Sequence, residues 1–195
     1  MVCLRLKGLV HRGIFGNKAV KVLVVYGTTE GQARKIAEHV SRHLREDHHE
    51  VRLCDSAQVR NLDIALFDTI MISASIHQQA HQESVTNFVC AHLGQLRTRP
   101  ALFLSVSLSA AFDETKPEAK TYVDRFLADT GWQPTRICLV AGALRYSTYD
   151  YYQEQIVKHT VLKGREIAEP GRDQELTDWE GLSRDVDAFM RSIGK

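Results

Sequence analysis

Five short apolar runs punctuate the chain, and stretches of helical period lie between them. The first run, residues 22–26 (VLVVY), is apolar at nearly every position, the mark of a strand covered on both faces of a sheet. Beyond it Ala33, Ile36, Ala37, Val40 and Leu44 recur at helical spacing and predict one buried stripe. Further strands are predicted at 50–53, 69–73, 101–106 and 136–141. In the polar connection after the second run, Leu62, Ile64 and Leu66 are expected to tuck against the body. A helix beginning near Ser84 buries Val85, Phe88, Val89 and Leu93. Another, over 118–129, buries Tyr122, Val123, Phe126 and Leu127, and Gly131-Trp132-Gln133-Pro134 turns the chain out of it. Residues 164–175 are charged, contain Pro170-Gly171 and read as a loop. Thr177-Asp178-Trp179-Glu180 has the form of a capping box with Thr177 as N-cap. It opens a last helix with Trp179, Leu182, Val186, Met190 and Ile193 on one side.

Strands alternating with helices predict an α/β fold whose parallel sheet is covered on both faces. The doubly wound sandwich with a five-stranded parallel sheet in the order 2-1-3-4-5 places strands one, three and four side by side. Ligands bind such sheets at the carboxyl ends of the strands, near the switch point. Three loops meet there: 27–33, 74–82 and 108–117. One domain, residues 20–195, accounts for the pattern, preceded by an extension over 1–19.

The first of these loops carries the clearest chemistry. A turn feeding a helix leaves N–H groups without intrahelical partners, at the end where the helix dipole is positive, and anions settle there. Thr28 and Thr29 add hydroxyls, Gly31 allows close backbone approach, and Gln32 offers an amide donor. The spacing is neither a Walker loop nor a G-x-G-x-x-G fingerprint, and an ordinary strand-to-helix turn with a threonine cap is the competing reading. At the ends of strands three and four lie small or hydroxyl residues, Ser73, Ala74 and Ser75, then Ser105, Ser107 and Ser109. They leave room for a flat ligand. The set suits a mononucleotide with a large planar ring.

Composition narrows the partners. Lys+Arg of 25 against Asp+Glu of 24 gives a formal charge of +1, which argues against nucleic acid and gives no general attraction to acidic membranes. No apolar run approaches the roughly 20 residues that span a bilayer. The four cysteines (Cys3, Cys54, Cys90, Cys138) show no C-x-x-C spacing and read as buried thiols in a reducing cytoplasm. His39 and His43 stand at i, i+4, but no third metal ligand is evident, so they are expected on a solvated helix face and no metal site is assigned. Residues 1–19 are basic and apolar without an acid; an extension is the expected role, a targeting or surface arm the alternative. Tyr146, Tyr149, Tyr151 and Tyr152 lead into a helix through Lys163 and suit either a planar ligand, an interface or helix packing.

At this point the chain resembles a known family. Tyr26-Gly27-Thr28-Thr29-Glu30-Gly31-Gln32 is similar to the phosphate loop of flavodoxins, with Glu30 and Ala33 where hydroxyl residues are common. More of the chain resembles the menaquinone-dependent protoporphyrinogen oxidases. The matching pieces are residues 27–34, Ile72-Ser73-Ala74-Ser75-Ile76, Lys116 through Arg125-Phe126-Leu127 to Trp132-Gln133-Pro134, then Ala141-Gly142-Ala143-Leu144-Arg145-Tyr146, and Thr177-Asp178-Trp179-Glu180. The stretch 76–82 lacks the aromatic and glycine residues that this group shows.

The resemblance implies the flavodoxin-like fold and FMN as cofactor. Thr28, Thr29, Glu30, Gly31, Gln32 and Ala33 would surround the phosphate. Backbone groups of Ser73, Ala74, Ser75, Ile76 and His77, and of Ser107, Leu108, Ser109 and Phe112, would edge the ring. Phe112, Tyr146 and His77 are candidates to stack on it, and Arg145 to pair with a propionate. The implied activity is oxidation of a porphyrinogen with a quinone as acceptor, in the cytoplasm with peripheral membrane contact. No general base is assigned; His77 and His81 qualify if they face the flavin. The alternatives are a soluble electron carrier serving redox protein partners in oxidative-stress defence, and an interaction module with weak or no flavin.

Overall fold

In the computed structural model, residues 19–59, 62–144 and 172–194 are described. Residues 1–18, Arg145 and the tyrosine-rich segment after it lie outside them. The sheet has the predicted form: β1 (Lys21–Gly27), β2 (Glu50–Asp55), β3 (Thr69–His77), β5 (Ala101–Ser107) and β6 (Arg136–Ala141) are parallel in the order β2-β1-β3-β5-β6. A two-residue strand, β4 (Ala80–His81), adds antiparallel to the end of β3.

Alternation along the central strands divides the interior in two, because successive side chains point to opposite faces. Val22 and Val24 of β1, Met71 of β3 and Leu102, Leu104 and Val106 of β5 face α1 (Gln32–Glu46) and the last helix, α4 (Trp179–Ile193). Leu23 and Val25, Ile70 and Ile72, and Phe103 face α2 (Glu83–Leu96) and α3 (Lys116–Thr130). Both layers are needed: the central strands have no polar face to offer water. All five residues of the predicted α1 stripe are buried. On the second face Phe103, Phe126 and Trp132 form an aromatic cluster with centroids 5.0–6.4 Å apart. Trp132 is fully buried behind Gly131, whose φ of 65° ends α3 in the left-handed region, with its N–H donating to the Leu127 carbonyl.

Several local expectations change. Leu62 and Ile64 pack inside, but Leu66 is 63% exposed, because the connection is a single 3-10 turn over Ile64–Leu66 that aims only one of the two inward. Cys90 is exposed, falling between the buried positions Val85, Phe88, Val89 and Leu96 of α2. The predicted loop 164–175 ends in structure: Gln174–Glu175 forms β8, antiparallel to β7 (Ala143–Leu144). The cap of α4 is Asp178, whose carboxylate accepts from the Gly181 N–H at 2.8 Å, rather than Thr177. Phe189, fully buried on α4, belongs to the core stripe and was missed. His39 and His43 are half-buried rather than solvated: His39 Nε2 bonds the Ser183 hydroxyl at 2.9 Å and His43 Nε2 meets Asp187 Oδ1 at 2.7 Å, both on α4.

Candidate functional site

Four strand ends converge on one cleft. Turning out of β1 come Thr28, Thr29, Glu30 and Gln32; from β3 come Ser75, Ile76 and His77; from β5 come Val106, Ser107 and Leu108; from β6 come Gly142 and Ala143. The empty space among them is about 450 Å³ and opens to solvent.

The first wall is the turn into α1. Gly31 stands at φ 88°, ψ −12°, a conformation that costs an L side chain roughly 1–2 kcal/mol. A Cβ there would meet no atom within 4 Å, so backbone angle rather than space calls for glycine. Its N–H donates to Thr28 Oγ1 at 2.9 Å, which folds the loop back on itself. The helix ladder closes first at Lys35 N–H onto the Gly31 carbonyl, so the N–H groups before it have no intrahelical acceptor. No acidic side chain occupies the first turn of α1.

Gln32 lines the cleft, but its amide is directed elsewhere. The side chain is buried, and Nε2 donates to Thr177 Oγ1 at 2.9 Å and to Glu175 Oε1 at 3.1 Å. The Thr177 hydroxyl donates onward to the Ala141 carbonyl at 2.7 Å. This chain ties the start of α1 to the end of β6, so one buried threonine fixes the separation of two cleft walls. Lys35 also pairs with Glu175 and lies 5.3 Å from the Trp179 ring centroid.

The second wall is a hairpin where the sequence suggested a loop. Ile76 pairs with His81 and His77 with Ala80, leaving Gln78 and Gln79 as a two-residue turn with φ of 49° and 64°. Positive φ at both positions matches the twist of a hairpin and normally selects Asn-Gly. Replacing Gln79 by glycine should therefore stabilise the protein, by about 1 kcal/mol. Matched urea melts of the variant and the parent would show it, and an unchanged or lowered midpoint would contradict the strain. Gln82, just past the hairpin, bridges the first two walls: Nε2 donates to Thr29 Oγ1 at 2.7 Å and to Ser75 Oγ at 3.3 Å.

His77 reaches the cleft and His81 does not. His81 turns inward between Phe103 and Phe126, 5.1 and 4.8 Å away by ring centroids, with Nε2 against Ser105 Oγ at 3.0 Å. Burial pushes its pKa down to about 4. It is a neutral core histidine turned away from the cleft and does not qualify as a base there.

The third wall is the 107–112 segment. The Ser107 carbonyl accepts from Gly142 N–H at 3.0 Å, and its hydroxyl accepts from Ala110 N–H at 3.2 Å. Leu108 faces the cleft. Ser109 turns away to Glu118 Oε2 at 3.0 Å. Phe112, Ser73, Ala74 and Ala33 also stand outside the lining: Ser73 Oγ donates to the Ala33 carbonyl behind the wall, Ala33 and Ala74 are buried in the core, and Phe112 is half-buried between two short 3-10 turns. Sequence reasoning missed Val106, Gly142 and Ala143 as lining residues. A glycine directly after the fifth apolar run was the available signal.

Residues 23–166 match the family described as "Flavodoxin domain". Among curated proteins, "Protoporphyrinogen IX dehydrogenase [quinone]" of Escherichia coli strain K12 is 28% identical over 175 residues, covering 89% of this chain and 94% of that protein. The protein of the same name from Leishmania major is 25% identical over 177 residues, covering 89% and 76%. Of solved structures, oxidised Flavodoxin 1 from Bacillus cereus superposes with a TM-score of 0.54 at 14% identity, covering 88% of this chain and 97% of the other.

Proposed function

The chain belongs to the flavodoxin domain family, and from that premise we propose that it is an FMN-dependent oxidoreductase that withdraws electrons from a protoporphyrinogen-type substrate and delivers them to a quinone. The carrying observation is the convergence of a phosphate-type turn and three small-residue strand ends on one cleft, in a chain that shares 28% identity over 89% of its length with a protein of that name.

The cleft's residues fit the cofactor. The N–H groups opening α1, with the Thr28 and Thr29 hydroxyls, are arranged to take a phosphate. Ser75, Ser107, Gly142 and Ala143 present backbone and small side chains on either side of a slot for a planar ring. Bound FMN supplies the two-electron chemistry, and the protein supplies orientation and electrostatics. The chain's own part would be to hold the ring with the backbone of 75–77 and 107–108 and to fix the walls through Thr177 and Gln82. His77 lines the second wall and Glu30 the first.

Among the described residues no helix is long and apolar enough to cross a membrane. The test is direct. The purified protein should be yellow, or turn yellow with added FMN, and should oxidise protoporphyrinogen with a quinone acceptor. A preparation that stays colourless with FMN removes the redox reading altogether. A yellow protein that reduces a haem-protein acceptor but leaves protoporphyrinogen untouched is an electron carrier instead.

A further inference from the structure

The half-buried faces of α1 and α4 bring together three groups at the opposite end of α1 from the cleft. His43 stands in the last turn of α1, Asp47 is its C-cap, and Asp187 faces them from α4. One ligand atom of each lies within 4.8 Å of the others. His43 and Asp47 are four apart, and Asp47 keeps near-helical backbone angles of −85° and 15°, so both project from one side of the helix. We infer that His43, Asp47 and Asp187 form a binding site for a divalent cation of the zinc type, which clamps the C-terminal end of α1 to α4.

Three observations carry this. The donor set is right: one imidazole and two carboxylates are ligand types that zinc accepts, at about 2.0–2.2 Å, with a fourth position left for water. The charge is right as well. Two half-buried carboxylates face one imidazole, which pairs with Asp187, while the Asp47 side chain forms no hydrogen bond or ion pair with any described residue, so a bound cation would offset the repulsion between the two carboxylates. The third observation is position. The last turn of a helix carries partial negative charge from its terminal carbonyls, which favours a cation.

Binding requires little rearrangement. The hydrogen bond between His43 Nε2 and Asp187 Oδ1 must open so that the neutral imidazole, with its proton on Nδ1, presents Nε2 to the ion; an imidazolium would release one proton to solvent in doing so. The ligand atoms, within 4.8 Å of one another, must also draw closer to the ion. Because His43 lies eleven residues beyond Gln32, at 1.5 Å per residue the ion sits ~16 Å along the helix from the cleft. It acts on the scaffold and not on the reacting atoms. Neither the FMN reading nor its failure affects this site.

Calorimetric titration of the full chain with zinc chloride, beside thermal melts with and without zinc, tests the assignment. The parent should take up one equivalent and melt at higher temperature with zinc present. Asp47→Asn removes a side chain with no other bond, so it should fold normally while weakening zinc binding at least tenfold and losing the thermal shift; Asp187→Asn should do the same. Cys90→Ser should leave both readouts unchanged. Absence of uptake by the parent, an Asp47→Asn protein that binds within threefold of it, or loss of binding in Cys90→Ser would each overturn the site.

Discussion

Between pH 6.5 and about 4 the protein should lose roughly 3 kcal/mol of stability through His81 alone. Its pKa is lowered from 6.5 to about 4 by burial, so in this window the unfolded chain takes up a proton that the folded chain refuses. Stability is then complete above 6.5, falls as the pH drops through the window, and has no further dependence on this group below 4. The cause is local: the ring is fixed between Phe103 and Phe126, one nitrogen faces the Ser105 hydroxyl, and Nδ1 is buried without a partner. A charge there has nothing to pair with. For a chain of this length the loss corresponds to a fall of about 6–12 °C in melting temperature. The double variant His81→Phe/Ser105→Ala replaces both partners by apolar groups and should be nearly as stable as the parent at pH 7.5. Denaturant melts from pH 7.5 to 4 decide the matter. Burial also lowers the pKa of His39 and His49, so the variant's curve should flatten without becoming level; parallel losses in parent and variant would remove His81 as the cause.

Gly27→Val should damage both the fold and the cleft. A Cβ at this last residue of β1 would stand 2.3 Å from Val85 Cγ2, 3.0 Å from Ser56 Oγ and 3.3 Å from Gln82 Cβ. The nearest atom belongs to a short, stiff side chain in the first turn of α2, so relief has to come from moving the helix. Overpacking of this kind costs about 1–3 kcal/mol. The displaced element carries Gln82 at its cap, whose amide holds Thr29 and Ser75 in place. We expect a melting temperature several degrees lower and FMN affinity reduced at least tenfold, read by flavin fluorescence titration. Retention of parental affinity by the folded variant would show that the first two walls do not depend on this packing.

Much of this architecture was legible in the sequence. The near-continuous apolar runs at 22–26 and 101–106 mark central strands, and the stripe from Ala33 to Leu44 marks a covered helix; the strand order is not read from them directly but follows from the doubly wound arrangement that alternating strands and helices suggest. Residues whose partners are distant in the chain were not legible. Gln32 looked like an outward donor because its acceptors, Glu175 and Thr177, lie 143 and 145 residues away. His81 sits among glutamines and so resembled loop, yet a two-residue hairpin carries it back into the aromatic cluster. His39 and His43 read as solvated until α4 placed Ser183 against the first and Asp187 against the second. Thr177 and Asp178 both suit an N-cap by type, and the choice fell to Asp178 because the Thr177 hydroxyl is drawn to the Ala141 carbonyl. In each case local pattern was overruled by a contact between separate elements.

The short ladder of β7 with β8 sets Leu144 opposite Gln174 and Ala143 opposite Glu175, so the chain leaves the β6 side of the cleft and re-enters it at the same place. Glu175 also accepts from Gln32 and pairs with Lys35 on α1, so a ladder of two rungs joins the Gly142–Ala143 wall to the helix that opens the first wall. The spacing of the cleft thus depends on a strand of only two residues, and a change at Glu175 would reach both walls at once.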